Sequence, residues 1–269
     1  MTDLQLDEHS TPVRGTSLAW TEEGHGPTAI WAHGLSSSRD AQETQGMFDW
    51  APVVASGHRL VRYDARGHGH STFTGASSDY EWKNLAHDLL ALLDEVAPGE
   101  RVAGIGSSMG TATLLHAAVL DPDRFSALVL TSAPTAWETR AGQAGVYTQL
   151  ADLVEQQGVA AFEAMMADAP EQPPVFAEVD MLGGELGVTA EAMPTIFRGA
   201  ARSDLPSATA IAAVDVPTLL LSWAGDPGHP VVTGALLAEY LPDAALRVAA
   251  TPAQLAAWGG YAADFLASR

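Results

Sequence analysis

Val102-Ala103-Gly104-Ile105-Gly106-Ser107-Ser108-Met109-Gly110 begins as an apolar run and breaks into a Gly-x-Ser-x-Gly pentapeptide. A helix-like segment, Thr111 to Leu120, follows directly. A short buried strand, a tight turn and a helix form the setting in which a serine is lifted clear of the backbone. Only the frame Gly106-Ser107-Ser108-Met109-Gly110 fits, so Ser108 stands at the apex and Ser107 is its neighbour. The flanking glycines let strand and helix approach, and the apical residue is held in a strained conformation near the positive end of the helix. A glycine-rich turn with nothing to attack satisfies the same pentapeptide, so its surroundings must decide.

Outward from this turn, strand and helix alternate, the pattern of a parallel sheet covered on both faces. Strands are predicted at Thr16 to Thr21, Thr28 to Ala32, Arg59 to Tyr63, Ala127 to Leu130, Thr218 to Trp223 and Ala245 to Ala249. Helices are predicted over Gln45 to Ala55, with Pro52 interrupting its end, and over Asp79 to Val96, where Leu85, Leu89, Leu92, Leu93 and Val96 recur at helical spacing. A closing helix is expected from Thr251 to Leu266. Between Pro134 and Ala213 the rhythm changes to helical periods at Tyr147 to Val154, Val159 to Ala167 and Ala192 to Ala201, broken by Pro170, Pro173-Pro174 and Gly183-Gly184. The expected organisation is an α/β core over 1–134 and 214–269, with a helical insertion over 135–213 in place of a second domain.

Composition bounds the function. The chain has 269 residues, and 47% hydrophobic content excludes disorder. It lacks an apolar run of the ~18 residues a membrane span needs, and Met1-Thr2-Asp3-Leu4-Gln5 carries no export signal. Without cysteine there is no disulfide framework and no thiolate nucleophile. A cytoplasmic location is therefore expected. Lys+Arg 13 against Asp+Glu 33 gives a formal charge of −20, which repels phosphate backbones and anionic lipid, so neither nucleic acid nor membrane is expected as a partner. His9, His25, His58, His87 and His116 show no metal-ligand spacing with acidic residues, and no metal or cofactor is expected. The expected partner is a small-molecule substrate, with the chain a monomer or homodimer.

Several motifs together resemble the α/β-hydrolase superfamily, in particular its small esterase and enol-lactonase branch. His33-Gly34 after a strand is similar to the family's oxyanion loop. Asp64-Ala65-Arg66-Gly67-His68-Gly69-His70-Ser71 is similar to its D-x-R-G-x-G-x-S loop, Gly106 to Gly110 to its elbow, and Trp223-Ala224-Gly225-Asp226-Pro227 to the segment bearing its catalytic acid. The resemblance implies an α/β-hydrolase fold with a mostly parallel central sheet, an insertion acting as a cap, and a cofactor-free serine hydrolase of carboxylic esters or lactones. It implies Ser108 as nucleophile, Asp226 as acid and the backbone N–H groups of Leu35 and Met109 as the oxyanion hole. His33 would shape that hole and line the substrate site without carrying a proton. Asp64 and Arg66 form a candidate bracing ion pair, and His68 and His70 sit on a structural loop.

One departure is plain: relatives carry the base after the last strand, and this chain has no histidine after His229. Ala249-Ala250 leads straight into Thr251, a good N-cap, and Pro252, suited to the first helical position, so the loop that would seat the base is missing. Asp226-Pro227-Gly228-His229 has the sequence of a type II turn, which brings its ends within about 7 Å. Asp226 and His229 then meet, and a compressed triad of Ser108, His229 and Asp226 becomes the working mechanism. The insertion offers Tyr147, Phe162, Met165, Met166, Phe176, Met181, Met193, Ile196 and Phe197 for packing and for the pocket mouth. Its basic residues Arg140, Arg198 and Arg202 are the candidate clamp for a substrate carboxylate. Two alternatives stay open: a catalytically silent relative that binds a small ligand, and an enzyme using the same serine for carbon–carbon cleavage or perhydrolysis.

Overall fold

The structure is a computed structural model in which residues 6–167, 172–179 and 186–269 are described. Met1 to Gln5, Pro170, Met181 and Gly183-Gly184 lie outside the described residues. Eight strands run β1 His9–Val13, β2 Thr16–Glu23, β3 Thr28–Ala32, β4 Arg59–Tyr63, β5 Val102–Ser107, β6 Phe125–Thr131, β7 Thr218–Trp223 and β8 Ala244–Ala249. They form one sheet in the order β1-β2-β4-β3-β5-β6-β7-β8. β1 and β2 pair antiparallel, as do β2 and β4, and every other pairing is parallel. The strands β3, β5 and β7 are buried along their whole length, which explains why apolar residues dominate them without a regular polar alternation.

Each face of the sheet has its own core. On one, the helices Trp82–Val96, Met109–Leu120 and Val231–Tyr240 cover Ile30, Val61, Leu128 and Leu220. On the other, Trp50, Val53, Leu255 and Trp258 cover Trp31, Ile105, Val129 and Trp223. Among the described residues, the segment between β6 and β7 contributes helical elements and no strand. Its helices Arg140–Gln157, Val159–Ala167 and Met193–Ala201 close around Phe162, Met193, Ile196 and Phe197. That cluster is completed by Tyr80, Phe73 and Leu35 from outside the segment.

Several elements differ from the sequence expectation, each for a local reason. The helix expected over Gln45 to Ala55 is two helices, Arg39–Gln45 and Ala51–Ala55. Pro52 lies in the first turn of the second, where its missing N–H is harmless, so it begins a helix there. The closing helix divides into Pro252–Ala256 and Trp258–Leu266. Thr251 caps the first of these by accepting from the Gln254 N–H at 3.4 Å. β1 carries no hairpin signal in the sequence, because its turn is Arg14-Gly15, with φ 41° and 76°, an arrangement in which arginine is uncommon. No helix among the described residues is long and apolar enough to cross a membrane.

Candidate active site

Ser108 lies just past β5, at the N-cap of helix Met109–Leu120, with φ 52° and ψ −110°, a conformation that L-residues adopt only when their surroundings enforce it. Those surroundings are visible. A Cβ on Gly110 would lie 2.0 Å from the Ala32 carbonyl oxygen, so helix Met109–Leu120 crosses β3 at a distance only glycine permits. The Ser108 N–H donates to Thr131 O at 3.2 Å, and the Thr111 hydroxyl reaches the carbonyls of Gly106 and Thr131. The bend is thus fixed by three strands and a helix, and the serine side chain stands at the C-terminal edge of the sheet.

β7 supplies the second part. The loop after Trp223 holds Asp226 and His229, with the His229 N–H donating to Asp226 O at 3.2 Å. Gly228 does not take the positive φ of a type II turn, and Gly225 instead bends left-handed at φ 90°. The expected turn type is therefore wrong while the apposition it was meant to produce is present. Asp226 Oδ1 accepts the Gly228 N–H at 2.8 Å, an Asx-type bond that holds the bend without left-handed glycine. His229 Nδ1 lies 2.7 Å from Asp226 Oδ2, and its Nε2 lies 2.7 Å from Ser108 Oγ. With Nδ1–H donating to the carboxylate, Nε2 is left to accept the serine proton. The Thr135 N–H donates to Gly228 O at 3.1 Å and ties the loop to the end of β6.

Trp223, whose function the sequence reading missed, positions the acid. Its indole Nε1–H donates to Asp226 Oδ2 at 3.0 Å, while its ring stacks on Trp258 and stands edge-on to His229. A tryptophan closing a buried strand three residues before an acidic turn was the available signal. Burial raises the Asp226 pKa, but hydrogen bonds from His229, Gly228 and Trp223 and the nearby imidazole outweigh it and bring the value down to about 2.

Gly34, which follows β3 by two residues, packs against Ser108, with its built Cβ position 3.6 Å from the serine Cβ. The N–H groups of Leu35 and Met109 have no acceptor among the described residues. His33 is buried beneath this loop. It accepts the Ala65 N–H at Nε2 (2.9 Å) and donates from Nδ1 to Gly34 O (2.7 Å). Both ring nitrogens are committed to backbone, so His33 shapes the loop and does not line the cavity, a correction to its expected place in the substrate site.

The cavity over Ser108 has a volume of about 730 Å³. Met47, Phe162, Met166, Val188 and Trp223 give it apolar walls, and Ser36, Ser37 and Gln42 give it a polar edge. None of the three candidate arginines reaches it. Arg140 is buried elsewhere, donating to the carbonyls of Ser203 and Ala200 with its guanidinium over Trp82. Arg198 pairs with Asp152 and Glu155, and Arg202 with Glu81. Each satisfies a carboxylate or a set of carbonyls already in the fold, so the expected clamp is not formed.

The Asp64–Arg66 pair is also replaced. Asp64 accepts the backbone N–H groups of Arg39 and His70 and lies 3.1 Å from Arg39 Nε, whereas Arg66 grips Asp88 with two hydrogen bonds of 2.7 and 2.8 Å. His68 is fully buried against Arg66 O, and His70 is half exposed beside Glu8. Neither lines the cavity.

A mostly parallel sheet, a strained serine between strand and helix, and an acid–imidazole pair on the loop after β7 define a hydrolase-type α/β architecture. Residues 30–258 match the family model described as alpha/beta hydrolase fold, and the chain belongs to that family. It is 26% identical over 204 residues to 3-oxoadipate enol-lactonase 1 of Acinetobacter baylyi, an alignment covering 71% of each chain. An epoxide hydrolase of Caballeronia sordidicola is 29% identical over 166 residues, covering 62% of this chain and 48% of that one. The chain thus spans about half the length of that relative, and 37% of a palmitoyl-protein thioesterase from Rattus norvegicus. Among solved structures, the enol-lactonase from Burkholderia xenovorans LB400 superposes with a TM-score of 0.76 at 24% identity, covering 96% of this chain and 99% of that one. An esterase from Thermogutta terrifontis gives 0.72 at 20%, covering 98% and 97%. These structural likenesses establish the fold.

Proposed function

We propose that the protein is a serine hydrolase that opens a carboxylic ester or lactone of a small, moderately apolar molecule, with segment 135–213 serving as the cap over its site. The observation that carries this reading is the continuous relay from Ser108 Oγ to His229 Nε2 and from His229 Nδ1 to Asp226 Oδ2, each step 2.7 Å. His229 takes the hydroxyl proton as Ser108 Oγ attacks the carbonyl carbon, and Asp226 stabilises the imidazolium. The Leu35 and Met109 N–H groups receive the oxygen that becomes negative, a contribution of about 3 kcal/mol per donor in such sites. The intermediate collapses as the carbon–oxygen bond breaks, and His229 returns its proton to the departing alkoxide. In a lactone that alcohol stays tethered to the acyl group. Water, activated by the same imidazole, then releases the acid and restores Ser108.

An ester or lactone suits this nucleophile better than an epoxide. Serine attack on an epoxide carbon yields an ether, which water does not cleave under these conditions, whereas attack on an acyl carbon yields a hydrolysable ester. The reading of a silent relative rested on the missing base, and an imidazole in hydrogen-bond contact with Ser108 removes that support. A fluorophosphonate probe should label the wild-type protein once, at Ser108, and 4-nitrophenyl butanoate should be cleaved. Ser108→Ala should lose both, and His229→Ala should lose about six orders of magnitude in kcat. Failure of the wild type to label, or an unimpaired His229→Ala, would overturn the mechanism.

A further inference from the structure

The cavity holds hydrogen-bonding groups that the relay does not use. Gln42, in helix Arg39–Gln45, is 8% exposed and lines the cavity, yet its Oε1 is buried without a partner among the described residues. The hydroxyls of Ser36 and Ser37, on the loop just after Leu35, are also buried and unpartnered, and both residues line the same cavity. Their loop is braced from the segment between β6 and β7. The Gly187 N–H donates to Ser36 O at 2.9 Å, and a Cβ on Gly187 would lie 2.1 Å from the Ser37 carbonyl carbon. Three residues of the cavity's polar edge therefore carry buried, unpartnered side-chain oxygens, and leaving these unsatisfied is costly.

The charge of the lining is equally specific. Among the described residues, Glu163 and Asp226 are the acidic residues of the lining, and no arginine or lysine lines the cavity. The residues outside the description, 1–5, 168–171 and 180–185, contain neither arginine nor lysine. An ionised carboxylate accepts hydrogen bonds but donates none, so it leaves Gln42 Oε1 unsatisfied and meets only like charge. A hydroxyl or amide both donates and accepts, as do the two serines and the glutamine amide.

We propose that Ser36, Ser37 and Gln42 form a hydrogen-bonding subsite for an uncharged ester or lactone whose non-reacting part carries a hydroxyl or amide, and that the cavity turns away substrates with a free carboxylate. This inference rests on the cavity being the substrate site of a serine hydrolase. It separates the chain from the carboxylate-clamping enzyme that its sequence first suggested.

Binding of intact esters to the Ser108→Ala protein, followed by titration calorimetry, tests the subsite without turnover. Three probes of similar length serve: 4-nitrophenyl butanoate, its 3-hydroxybutanoate counterpart and the 4-nitrophenyl hemisuccinate. The hydroxylated ester should bind about tenfold tighter than the butanoate, and the hemisuccinate about tenfold weaker. Adding Gln42→Leu should shrink the hydroxyl preference to about twofold, and Ser36→Ala with Ser37→Ala should shrink it independently should the glutamine variant not fold. Glu163→Lys should reverse the rejection of the hemisuccinate. Equal binding of the three probes, or tighter binding of the hemisuccinate, would overturn the subsite. The hydrolase reading fails separately, through absence of fluorophosphonate labelling in the wild type while this binding order persists.

Discussion

Asp226 carries a heavier load than its role beside an imidazole requires. It closes its own turn through Gly228, receives the Trp223 indole and orients His229. Because its pKa is brought down to about 2, it stays ionised throughout the range in which the protein would work. The acid limb of kcat/KM against pH should therefore carry no step from this carboxylate. Asp226→Asn keeps the shape but loses the charge that selects the Nδ1–H tautomer, and kcat should fall by about four orders of magnitude. Trp223→Phe keeps most of the packing and removes one donor from the carboxylate. We expect roughly a tenfold loss in kcat with KM little changed, the signature of a positioning residue. A Trp223→Phe profile showing equal damage to KM would assign the indole to substrate contact instead.

At the scale of elements, the elbow was legible because each of its residues is dictated by contacts made within a few positions or with the adjoining strands. Ser108, Gly106 and Gly110 follow from a backbone bend, and Gly110→Ala should abolish soluble folded protein, since its methyl would collide with Ala32 O. The burial pattern of Trp82–Val96 was also legible, for its apolar stripe is local, and Leu89→Ala should cost about 2–5 kcal/mol in chemical denaturation. The apposition of Asp226 and His229 could be read from proximity in the chain, but the turn type could not, because the Gly228 N–H to Asp226 bond substitutes for glycine geometry. The arginines were illegible for the opposite reason. Arg140, Arg198 and Arg202 find partners as far away as Ser203, Asp152 and Glu81, and only tertiary packing reveals that these carbonyls and carboxylates claim them. Arg66 likewise spends its charge on Asp88, one helix away, and leaves Asp64 to Arg39. Gln42 and the Ser36-Ser37 pair carried no sequence signal, since surface polar residues and buried orphans look alike in a chain.

For the molecule as a whole, two opposing forces set the response to acid. The formal charge of −20 makes the folded chain repel itself, and protonating carboxylates toward the sequence pI of about 4.5 relieves that strain. Against this stand His33 and His68, buried with ring centroids 5.1 Å apart. Burial lowers the His33 pKa, and burial together with the neighbouring His33 lowers that of His68 to about 3. In the unfolded chain both imidazoles titrate near ~6.5, so between that value and about 3 the unfolded state binds more protons than the native one. Stability then falls as pH drops through this window, by up to about 1.4 kcal/mol per pH unit for His68. His70, bonded to Glu8, has a raised pKa and the opposite sign, but its exposed position makes its share small. Salt separates the two forces, because it screens dispersed surface charge and hardly touches a buried ring. In dilute buffer the unfolding free energy should change little from pH 7 to 5, whereas in 0.5 M sodium chloride, roughly a 4 Å screening length, it should fall with acid. His68→Asn keeps a donor toward Arg66 O and cannot take up a proton. Its stability at neutral pH is not the diagnostic quantity. Its slope against pH in high salt should be shallower than that of the wild type by about one proton's worth, and parallel slopes would show that the buried imidazole does not govern the acid limit.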